Sequence, residues 1–526
     1  MLLIRPAAKQ NNSRDRPPRI IFIILILSCL ILSMQKILVA NRGEIALRVM
    51  RTAREMGIKT VAVFSEADRN MPFVRFADEA VCIGPAASSQ SYLRIDKILE
   101  AARTTGADAI HPGYGFLSEN AAFSQAVTDA GITFIGPSAH SINMMGNKIS
   151  AKQAAKQFDV PMVPGTDEPI EDIETAMKIA KEVGFPVLIK AAAGGGGKGM
   201  RVVQAEAELE EQMRMAQSEA LSAFGNGDVF MERYVGAPRH IEIQILGDQH
   251  GNYVYLFERE CSIQRRHQKL IEEAPSSCLT PAIREKMGAA AVAAARACNY
   301  YGAGTVEFLV DEQLNFYFLE MNTRLQVEHC VTEMITGKDL VREQINVARG
   351  EKLSFGQADL RIQGHSIELR VCAEDPLNNF LPDTGKLSLY QPPKGPGVRV
   401  DDGYEQGQDI PIFYDPMIAK LVVHGVDRNE AIERLCRAID EYYINGIQTT
   451  LPFGKWAVRT EAFRSGQFDT GFIEKHYRPE YLAPQDDAVA EVAALLGALV
   501  WEQGKKPKQA ASLENGAVSK WKLRRS

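Results

Sequence analysis

The sequence predicts an α/β and α+β protein whose first domain is a doubly wound parallel sheet. An apolar strand (36–40), a helix (44–56) and a second apolar strand (59–64) follow one another near the start, and this alternation favours a parallel sheet covered by helices. Further along, two β-rich runs at 305–310 and 316–322 are joined by a short polar link. Such a pair is typical of an antiparallel hairpin, so the chain is expected to combine both kinds of sheet.

The 526-residue chain has the composition of an ordinary globular protein with several domains. Hydrophobic residues make up 45% and charged residues 24%, which is typical of a protein with ample core. The formal net charge of −6 gives no indication of nucleic-acid binding. The eight cysteines are scattered, without a CxxC pair or a zinc-type spacing, so we interpret them as reduced thiols of a cytoplasmic protein.

The first 33 residues form a segment of their own. Arginines precede an apolar run at 20–32, as in a signal peptide. The run is shorter than the roughly 20 residues that a membrane-spanning helix needs, and Met34 stands just before the first predicted strand. We therefore expect residues 1–33 to be a leader or a mis-annotated extension and do not expect membrane association; a membrane anchor is the alternative.

A glycine-containing loop at 111–120 (His-Pro-Gly-Tyr-Gly-Phe-Leu-Ser-Glu-Asn) follows a predicted strand at 107–110. Loops at the carboxyl ends of parallel strands commonly contact ligands, and a plain turn is the alternative. The Rossmann fingerprint is absent, because Gly43 is not part of a GxGxxG motif. The sequence therefore predicts a doubly wound domain without a dinucleotide site.

A second glycine-rich loop, Gly194–Met200, lies between predicted strands at 186–190 and 201–203. It is not a Walker loop, since that motif needs GxxxxGK[ST] running into a helix. Consecutive glycines still allow backbone N–H groups to close over phosphates, and Lys190 and Lys198 add positive charge. We interpret the segment as a phosphate lid; a flexible hairpin tip is the alternative.

Two polar segments are ambiguous by themselves. His240 lies in a run (239–244) that alternates polar and apolar residues, as a strand with one solvated face does; it is either a nucleotide contact or an ordinary surface histidine. The basic cluster 265–269 (Arg-Arg-His-Gln-Lys) is either a solvated face or an anion site. Nucleic-acid binding is not expected there, because no aromatic residues interleave with the charges.

The most informative polar pattern lies at the end of the predicted hairpin. With the link centred between Gln313 and Leu314, Glu307 falls opposite Glu320. Close carboxylates repel each other unless a cation lies between them, which suits Mg²⁺ or Mn²⁺ shared with phosphates; two exposed acids are the alternative. In extended conformation alternate residues share one face, and the polar set on that face is Glu320, Asn322, Arg324, Gln326 and Glu328.

Four of these motifs together resemble biotin carboxylase, an ATP-grasp enzyme. They are the segment Glu-Met-Asn-Thr-Arg-Leu-Gln-Val-Glu-His at 320–329, the loops 194–200 and 111–120, and the cluster 265–269, in the family's order. The similarity extends from about residue 34 to 481. It implies an N-terminal biotin carboxylase α/β domain (34–149), an ATP-grasp domain (150–350) with a mobile lid subdomain at about 163–236, a C-terminal mixed α/β domain (351–481) and a flexible tail (482–526).

The resemblance also implies a role for each matching residue. ATP would be bound by Lys148, Lys190, Glu232, Arg233, Val235, His240 and His267, with Gly195, Gly196, Gly197 and Met200 in the lid. Divalent metal, Mg²⁺ or Mn²⁺, would be held by Glu307, Glu320 and Asn322.

Bicarbonate and biotin would be handled by a further group of residues. Lys269, Arg324, Gln326 and Val327 would position bicarbonate. Glu328 would be the general base and Arg370 would stabilise the biotin enolate. Residues near biotin would be Tyr114 and the stretch 413–417, Phe-Tyr-Asp-Pro-Met.

The partners implied are a biotin carboxyl carrier protein, a separate carboxyltransferase, and a second copy of the chain in a homodimer. A biotin-attachment domain is not recognisable, because the Ala-Met-Lys-Ile at 176–179 lies inside a predicted amphipathic helix. The acyl acceptor stays open. Two alternatives remain at this point, another ATP-grasp ligase that uses an acylphosphate and a non-catalytic, membrane-tethered binding subunit.

Overall fold

The computed structural model describes residues 34–166, 168–170, 172–192, 199–482 and 487–505. The predicted leader (1–33) and the lid glycines Gly195, Gly196 and Gly197 therefore lie outside the described residues. The chain divides into a first unit that ends at Arg478 and a second that begins at Pro479.

A parallel sheet opens the first unit, as predicted. Its strands are β1 (Lys36–Val39), β2 (Lys59–Ser65), β3 (Glu79–Gly84), β4 (Ala109–His111) and β5 (Thr133–Phe134), in the order β3-β2-β1-β4-β5. The Val- and Ile-rich strands β1 and β2 are buried along most of their length, as expected of strands covered by helices on both faces. The helices of this region are Gly43–Glu55, Pro72–Phe76, Ile95–Thr105, Ala121–Asp129, Ala139–Gly146 and Lys148–Lys156.

The loops after β1 and β4 meet where the strand order reverses. Asn41 Nδ2 donates to the carbonyl oxygens of Pro112 (2.8 Å) and Tyr114 (2.7 Å). Ligands of open parallel sheets bind at such a point, and this contact fixes the loop 111–120 there.

A three-stranded antiparallel sheet follows. Its strands β6 (Val187–Ala191), β7 (Arg201–Val203) and β8 (Val229–Arg233) are ordered β7-β6-β8. The predicted strand–loop–strand arrangement is confirmed, since β6 and β7 flank the glycine-rich loop and pair with each other. Helices Ile173–Val183 and Leu209–Phe224 accompany this sheet.

An eight-stranded sheet forms the remainder of the first unit. Its order is β13-β12-β9-β10-β11-β14-β19-β18, and every neighbouring pair is antiparallel. It combines strands from both sides of the predicted limit at 350. The strands are β9 (Arg239–Gly247), β10 (Tyr253–Arg265), β11 (Gln268–Ala274), β12 (Gly302–Val310), β13 (Phe316–Asn322), β14 (His365–Cys372), β18 (Val398–Asp402) and β19 (Met417–Gly425).

Shorter strands and helices complete this region. The short strands are β15 (Glu374–Asp375), β16 (Leu381–Pro382), β17 (Leu389–Gln391) and β20 (Tyr443–Asn445). The helices are Pro281–Ala297, His329–Thr336, Leu340–Ala348, Arg428–Asp440, Leu451–Arg459, Glu461–Arg464 and Phe472–His476.

The two faces of the large sheet differ in character. Ile241, Ile243 and Ile245 of β9 join a buried apolar cluster with Met287 and Ala291 of helix Pro281–Ala297. Because successive side chains of a strand point to opposite faces, the intervening polar residues of β9 lie on the other side. That polar face carries the candidate site.

The second unit contains the helix Asp487–Lys505, where the sequence predicts one at 488–501. Its apolar side chains are exposed, among them Leu495, Leu499 and Trp501. Within the described residues no helix has the length and hydropathy that crossing a membrane requires.

Candidate active site

The predicted continuous strand at 320–328 is wrong beyond Asn322. β13 ends at Asn322, and helix His329–Thr336 begins after Glu328. Directly after the strand, Glu119 from the loop 111–120 binds the chain, accepting from the Thr323 amide (3.0 Å) and from Arg324 Nε (2.7 Å). The polar side chains still converge, but they do so through a turn rather than through strand alternation.

The predicted hairpin register is confirmed. Glu307 of β12 pairs with Glu320 of β13 and, on its other side, with Glu242 of β9. Glu307 Oε1 accepts from Asn322 Nδ2 (3.0 Å) and from Gln326 Nε2 (3.3 Å). The hairpin therefore gathers carboxylates and amides at one place on the polar face.

Two cations compensate Glu307. Lys269 Nζ lies 3.0 Å from Oε1 and His240 Nε2 lies 3.0 Å from Oε2. Burial by itself would raise the pKa of Glu307, but Lys269 and His240 outweigh it and hold the pKa far below its usual value. His240 is thus a buried partner of a carboxylate and not a surface residue.

Lys269 is the centre of the site's charge network. Its ammonium group contacts Glu242 Oε2 (2.5 Å), Glu307 Oε1 (3.0 Å) and Glu328 Oε1 (2.7 Å). Burial disfavours its charge, yet the surrounding carboxylates hold the pKa of Lys269 well above its ordinary value. The cluster 265–269 is therefore not a solvated face at its last residue, and its ammonium group is permanently charged.

Glu328 joins Lys269 to Arg370. Its Oε2 accepts from Arg370 Nη2 (3.1 Å), while Arg370 Nε donates to Glu272 Oε1 (2.6 Å). Burial alone would raise the pKa of Glu328, but Lys269 and Arg370 hold it well below its usual value. The carboxylate is therefore ionised in the absence of substrate.

The three-stranded sheet β7-β6-β8, named the lid sheet after the predicted lid subdomain, and helix Lys148–Lys156 bring a second ion-pair group to the site. Glu232 of β8 binds the ammonium groups of both Lys190 and Lys152. Burial opposes ionisation of Glu232, yet the two lysines lower its pKa. The main chain of Lys148 begins helix Lys148–Lys156, but its side chain lies outside the described part of the structure.

A cavity of about 1510 Å³ lies between these groups, the lid sheet and the loop 111–120. Glu328 is fully buried and contacts the cavity-lining residues Lys269 and Arg370. Phe413, Tyr414, Asp415, Pro416 and Met417 line it as well. The other predicted site residues that line it are Tyr114, Lys190, Met200, Glu232, Arg233, Val235, His240, His267, Lys269, Glu307, Glu320, Asn322, Arg324, Gln326, Val327 and Arg370.

Sequence reasoning missed several charged residues of the site. Glu242, Glu272 and Arg259 are buried on β9, β11 and β10, and Arg259 Nε donates to Glu242 Oε1 (2.5 Å). The polar alternation of 239–244 suggests a solvated face, whereas residues 240–244 are all buried. The available signal was the presence of acidic and basic residues inside several consecutive strand-like segments. Such charges can compensate each other when the strands form one sheet.

The hairpin residues fit a divalent cation by their chemistry. Glu307, Glu320 and Asn322 offer carboxylate and amide oxygens at the rim of a cavity large enough for a nucleotide. Mg²⁺ prefers oxygen ligands and is usually held by one or two carboxylates together with substrate phosphates.

The fold and the site define the class of protein. A small antiparallel lid sheet with a glycine-rich loop, facing carboxylates and lysines on a larger antiparallel sheet across a cavity, is the arrangement of an ATP-grasp enzyme, an ATP-dependent ligase. Three family models match the chain: "Biotin carboxylase, N-terminal domain" at 33–142, "Carbamoyl-phosphate synthase L chain, ATP binding domain" at 147–355, and "Biotin carboxylase C-terminal domain" at 368–475.

Individual proteins agree with these models. A pyruvate carboxylase subunit of Methanothermobacter thermautotrophicus is 57% identical over 84% of this chain and 90% of its own. Biotin carboxylase 1 of Bacillus subtilis is 53% identical over 84% of this chain and 98% of its own. The chain belongs to the biotin carboxylase family.

A solved structure is similar throughout the same region. The biotin carboxylase domain dimer of Hydrogenobacter thermophilus 2-oxoglutarate carboxylase, in complex with MgADP, ADP and bicarbonate, has 48% sequence identity and a TM-score of 0.80. The match covers 86% of this chain and 99% of that one.

Proposed function

We propose that this chain carboxylates biotin on a carrier protein at the expense of ATP and bicarbonate, as the first half-reaction of an acyl-CoA or pyruvate carboxylase. The observation that carries the proposal is the contact of Glu328 with both Lys269 and Arg370, two residues that line the cavity. It provides a cation for an anionic substrate, an ionised carboxylate for a proton and a guanidinium for an oxyanion, in that order.

The first step is attack of a bicarbonate oxygen on the γ-phosphorus of ATP, which gives carboxyphosphate and ADP. Lys190 on β6 and Lys269 on β11 would face the developing negative charge, and charged donors held in place are what such a transition state requires. Glu307, Glu320 and Asn322 would hold a divalent cation, which would neutralise part of that charge.

Proton transfer is the task of Glu328. Bicarbonate bound to Lys269 and Arg324 would weaken the contact between Lys269 and Glu328. The pKa of Glu328 then rises from its depressed value, and the carboxylate becomes a better base. Glu328 takes the bicarbonate proton, and carboxyphosphate then breaks down to CO₂ and phosphate.

Biotin is activated next. The released phosphate removes the proton from the ureido nitrogen, and the resulting enolate oxygen lies against Arg370, whose charge stabilises it. The nitrogen then attacks CO₂ to form carboxybiotin. The lid sheet excludes water, which would otherwise hydrolyse carboxyphosphate.

The remaining assignments concern the setting of the reaction. We propose a homodimer, in line with the description of the Hydrogenobacter protein as a dimer, and a carboxyltransferase as the second partner. A cytoplasmic location is supported by the free thiols of the described cysteines, most of them buried. The domain limits 34–149, 150–350 and 351–481 also stay proposals, and limited proteolysis would test them.

The test uses the full-length chain, MgATP, labelled bicarbonate and free biotin. We expect ATP cleavage that requires bicarbonate, is stimulated by biotin and transfers label to biotin. ATP cleavage that does not depend on bicarbonate or biotin would favour another ATP-grasp ligase. A chain that neither binds nor cleaves ATP would favour the non-catalytic, membrane-tethered subunit.

A further inference from the structure

A pair of buried carboxylates faces each other behind Arg370. Glu272 of β11 and Glu368 of β14 are directly opposed in the strand register, and neither is exposed to solvent. Opposed residues of antiparallel strands have Cβ atoms roughly 5 Å apart. Within the described structure no hydrogen bond reaches Glu272 Oε2 or either carboxylate oxygen of Glu368.

One proton shared by the pair gives a hydrogen-bond partner to Glu272 Oε2 and to one oxygen of Glu368. Two ionised carboxylates at this distance in a buried site repel each other, and among the described residues no donor reaches Glu368. A protonated Glu368 offers an O–H donor, and the facing Glu272 Oε2 is the acceptor that otherwise has no partner. Arg370 contacts only the other oxygen of Glu272, so Oε2 is left for this bond.

The surrounding charges decide which residue holds the proton. Burial raises the pKa of Glu368 well above its usual value, against the opposing effect of Lys420. Burial raises the pKa of Glu272 to about 7, with Arg370 opposing the rise. The Lys420 ammonium is occupied by the Val327 carbonyl oxygen (2.8 Å) and Cys330 Sγ (3.2 Å). The titratable groups that interact with the pair are Lys269 on β11, Arg370 and Cys372 on β14, Lys420 on β19, Cys261 on β10, Glu328, Cys330 on helix His329–Thr336 and Tyr114 in the loop 111–120.

We propose that Glu272 is the positioning residue for Arg370 and that Glu368 carries the shared proton and donates it to Glu272, which holds Glu272 in place. Nε and Nη2 of Arg370 both lie 2.6 Å from Glu272 Oε1, whereas Glu328 Oε2 is 3.1 Å away. When Glu328 takes a proton its attraction for the guanidinium falls, and Glu272 keeps Arg370 at the cavity wall. This inference rests on the proposed function.

The neutral state of Glu368 also preserves the charge of Arg370. With Glu368 protonated, the guanidinium faces two carboxylates, Glu272 and Glu328. A third anion would compensate it more completely and leave less of its charge for an enolate oxygen. The pair therefore sets both the place of Arg370 and its strength as an oxyanion partner.

The first test separates two activities of the full-length chain. Glu272→Gln is expected to lower kcat for biotin carboxylation about 10- to 100-fold, as loss of a positioning residue does, while bicarbonate-dependent ATP cleavage without biotin stays within about threefold. Glu273→Gln is the matched control. Its carboxylate lies next along β11 and binds His365 (2.8 Å) and Arg428 (2.7 Å) away from the cavity, so the ratio of the two activities should not change.

Two kinetic results would overturn the proposal: an unchanged rate of biotin carboxylation in Glu272→Gln, or an equal loss of both activities. If Glu272→Gln does not fold, Glu272→Asp replaces it, with the same split at smaller amplitude. Absence of bicarbonate-dependent ATP cleavage in the unaltered chain would instead refute the proposed function.

The second test is independent of turnover. At about pH 8 the infrared difference between the unaltered chain and Glu368→Gln should contain the carbonyl band of a neutral carboxylic acid, and the difference with Glu273→Gln should not. A Glu368→Gln difference that shows only carboxylate bands would mean that Glu368 is ionised, and the proposal would be abandoned.

Discussion

Replacing Glu328 with glutamine is the sharpest test of the proposed base. The substitution keeps the size of the side chain and removes its negative charge and its ability to accept a proton. Glu328 Oε1 lies 2.7 Å from Lys269 Nζ and Oε2 lies 3.1 Å from Arg370 Nη2, so two charge-assisted contacts become neutral ones.

The cost in stability follows from what the two cations retain. Lys269 keeps Glu242 at 2.5 Å and Glu307 at 3.0 Å, and Arg370 keeps Glu272 at 2.6 Å. Neither cation is left uncompensated, which would cost about 3–5 kcal/mol. Each charge-assisted contact exceeds a neutral one by about 1 kcal/mol, so the free energy of unfolding should fall by only about 2 kcal/mol.

The cost in rate should be larger. Loss of a general base lowers the rate about 10²- to 10⁴-fold, which corresponds to about 3–5 kcal/mol of activation free energy. The assay is bicarbonate-dependent ATP cleavage and label transfer to biotin, with nucleotide affinity and Tm measured on the same preparation. Nucleotide binding and folding should be retained while carboxyl transfer is lost. Turnover within about threefold of the unaltered chain would refute the role of Glu328 as base.

Three further perturbations follow from the same network. Arg370→Ala should lower biotin carboxylation more than bicarbonate-dependent ATP cleavage; equal losses would contradict the enolate role. Lys269→Met removes the cation that Glu242, Glu307 and Glu328 share, although each keeps another partner, so the free energy of unfolding should fall by about 3 kcal/mol at about pH 8, about 1 kcal/mol for each lost charge-assisted contact, with a smaller deficit in acid as the carboxylates take up protons; a pH-independent deficit would contradict this. Because the pKa of Glu368 is raised in the folded chain, the unaltered protein loses stability relative to Glu368→Gln as pH rises above the ordinary glutamate pKa of 4.5, by about 1.4 kcal/mol per pH unit; calorimetry between about pH 5.5 and 7.5 should show the Tm difference widening, and a constant difference would exclude the assignment.

The parts of the site that local sequence rules govern were predictable. The short link between β12 and β13 fixes the hairpin register, so Glu307 opposite Glu320 follows from counting residues. The βα alternation likewise determines the first sheet, because parallel strands need helical crossovers. The strands on either side of the glycine-rich loop were predictable because the two flanking apolar runs are too short to form helices.

The parts that depend on distant residues were not predictable from a local pattern. Thr323 and Arg324, directly after β13, donate hydrogen bonds to Glu119, which lies about two hundred positions earlier in the chain. A local pattern does not contain that contact. Period-2 alternation looks the same whether the polar face meets water or a buried partner, so Glu242 resembles a surface residue in the sequence. Its burial is possible only because Arg259 and Lys269 supply cations from neighbouring strands.

The adjacency of β11 and β14 has a consequence for the order in which the enzyme matures during synthesis. Glu272 and Arg370 touch although 98 positions separate them along the chain, and β19 pairs with the far side of β14. Until that later segment has left the ribosome, β11 presents an unpaired edge, and such edges invite association with other chains. β14 both covers this edge and carries Arg370. The nascent chain therefore needs protection of the β11 edge during the same period in which it lacks the guanidinium of the active site.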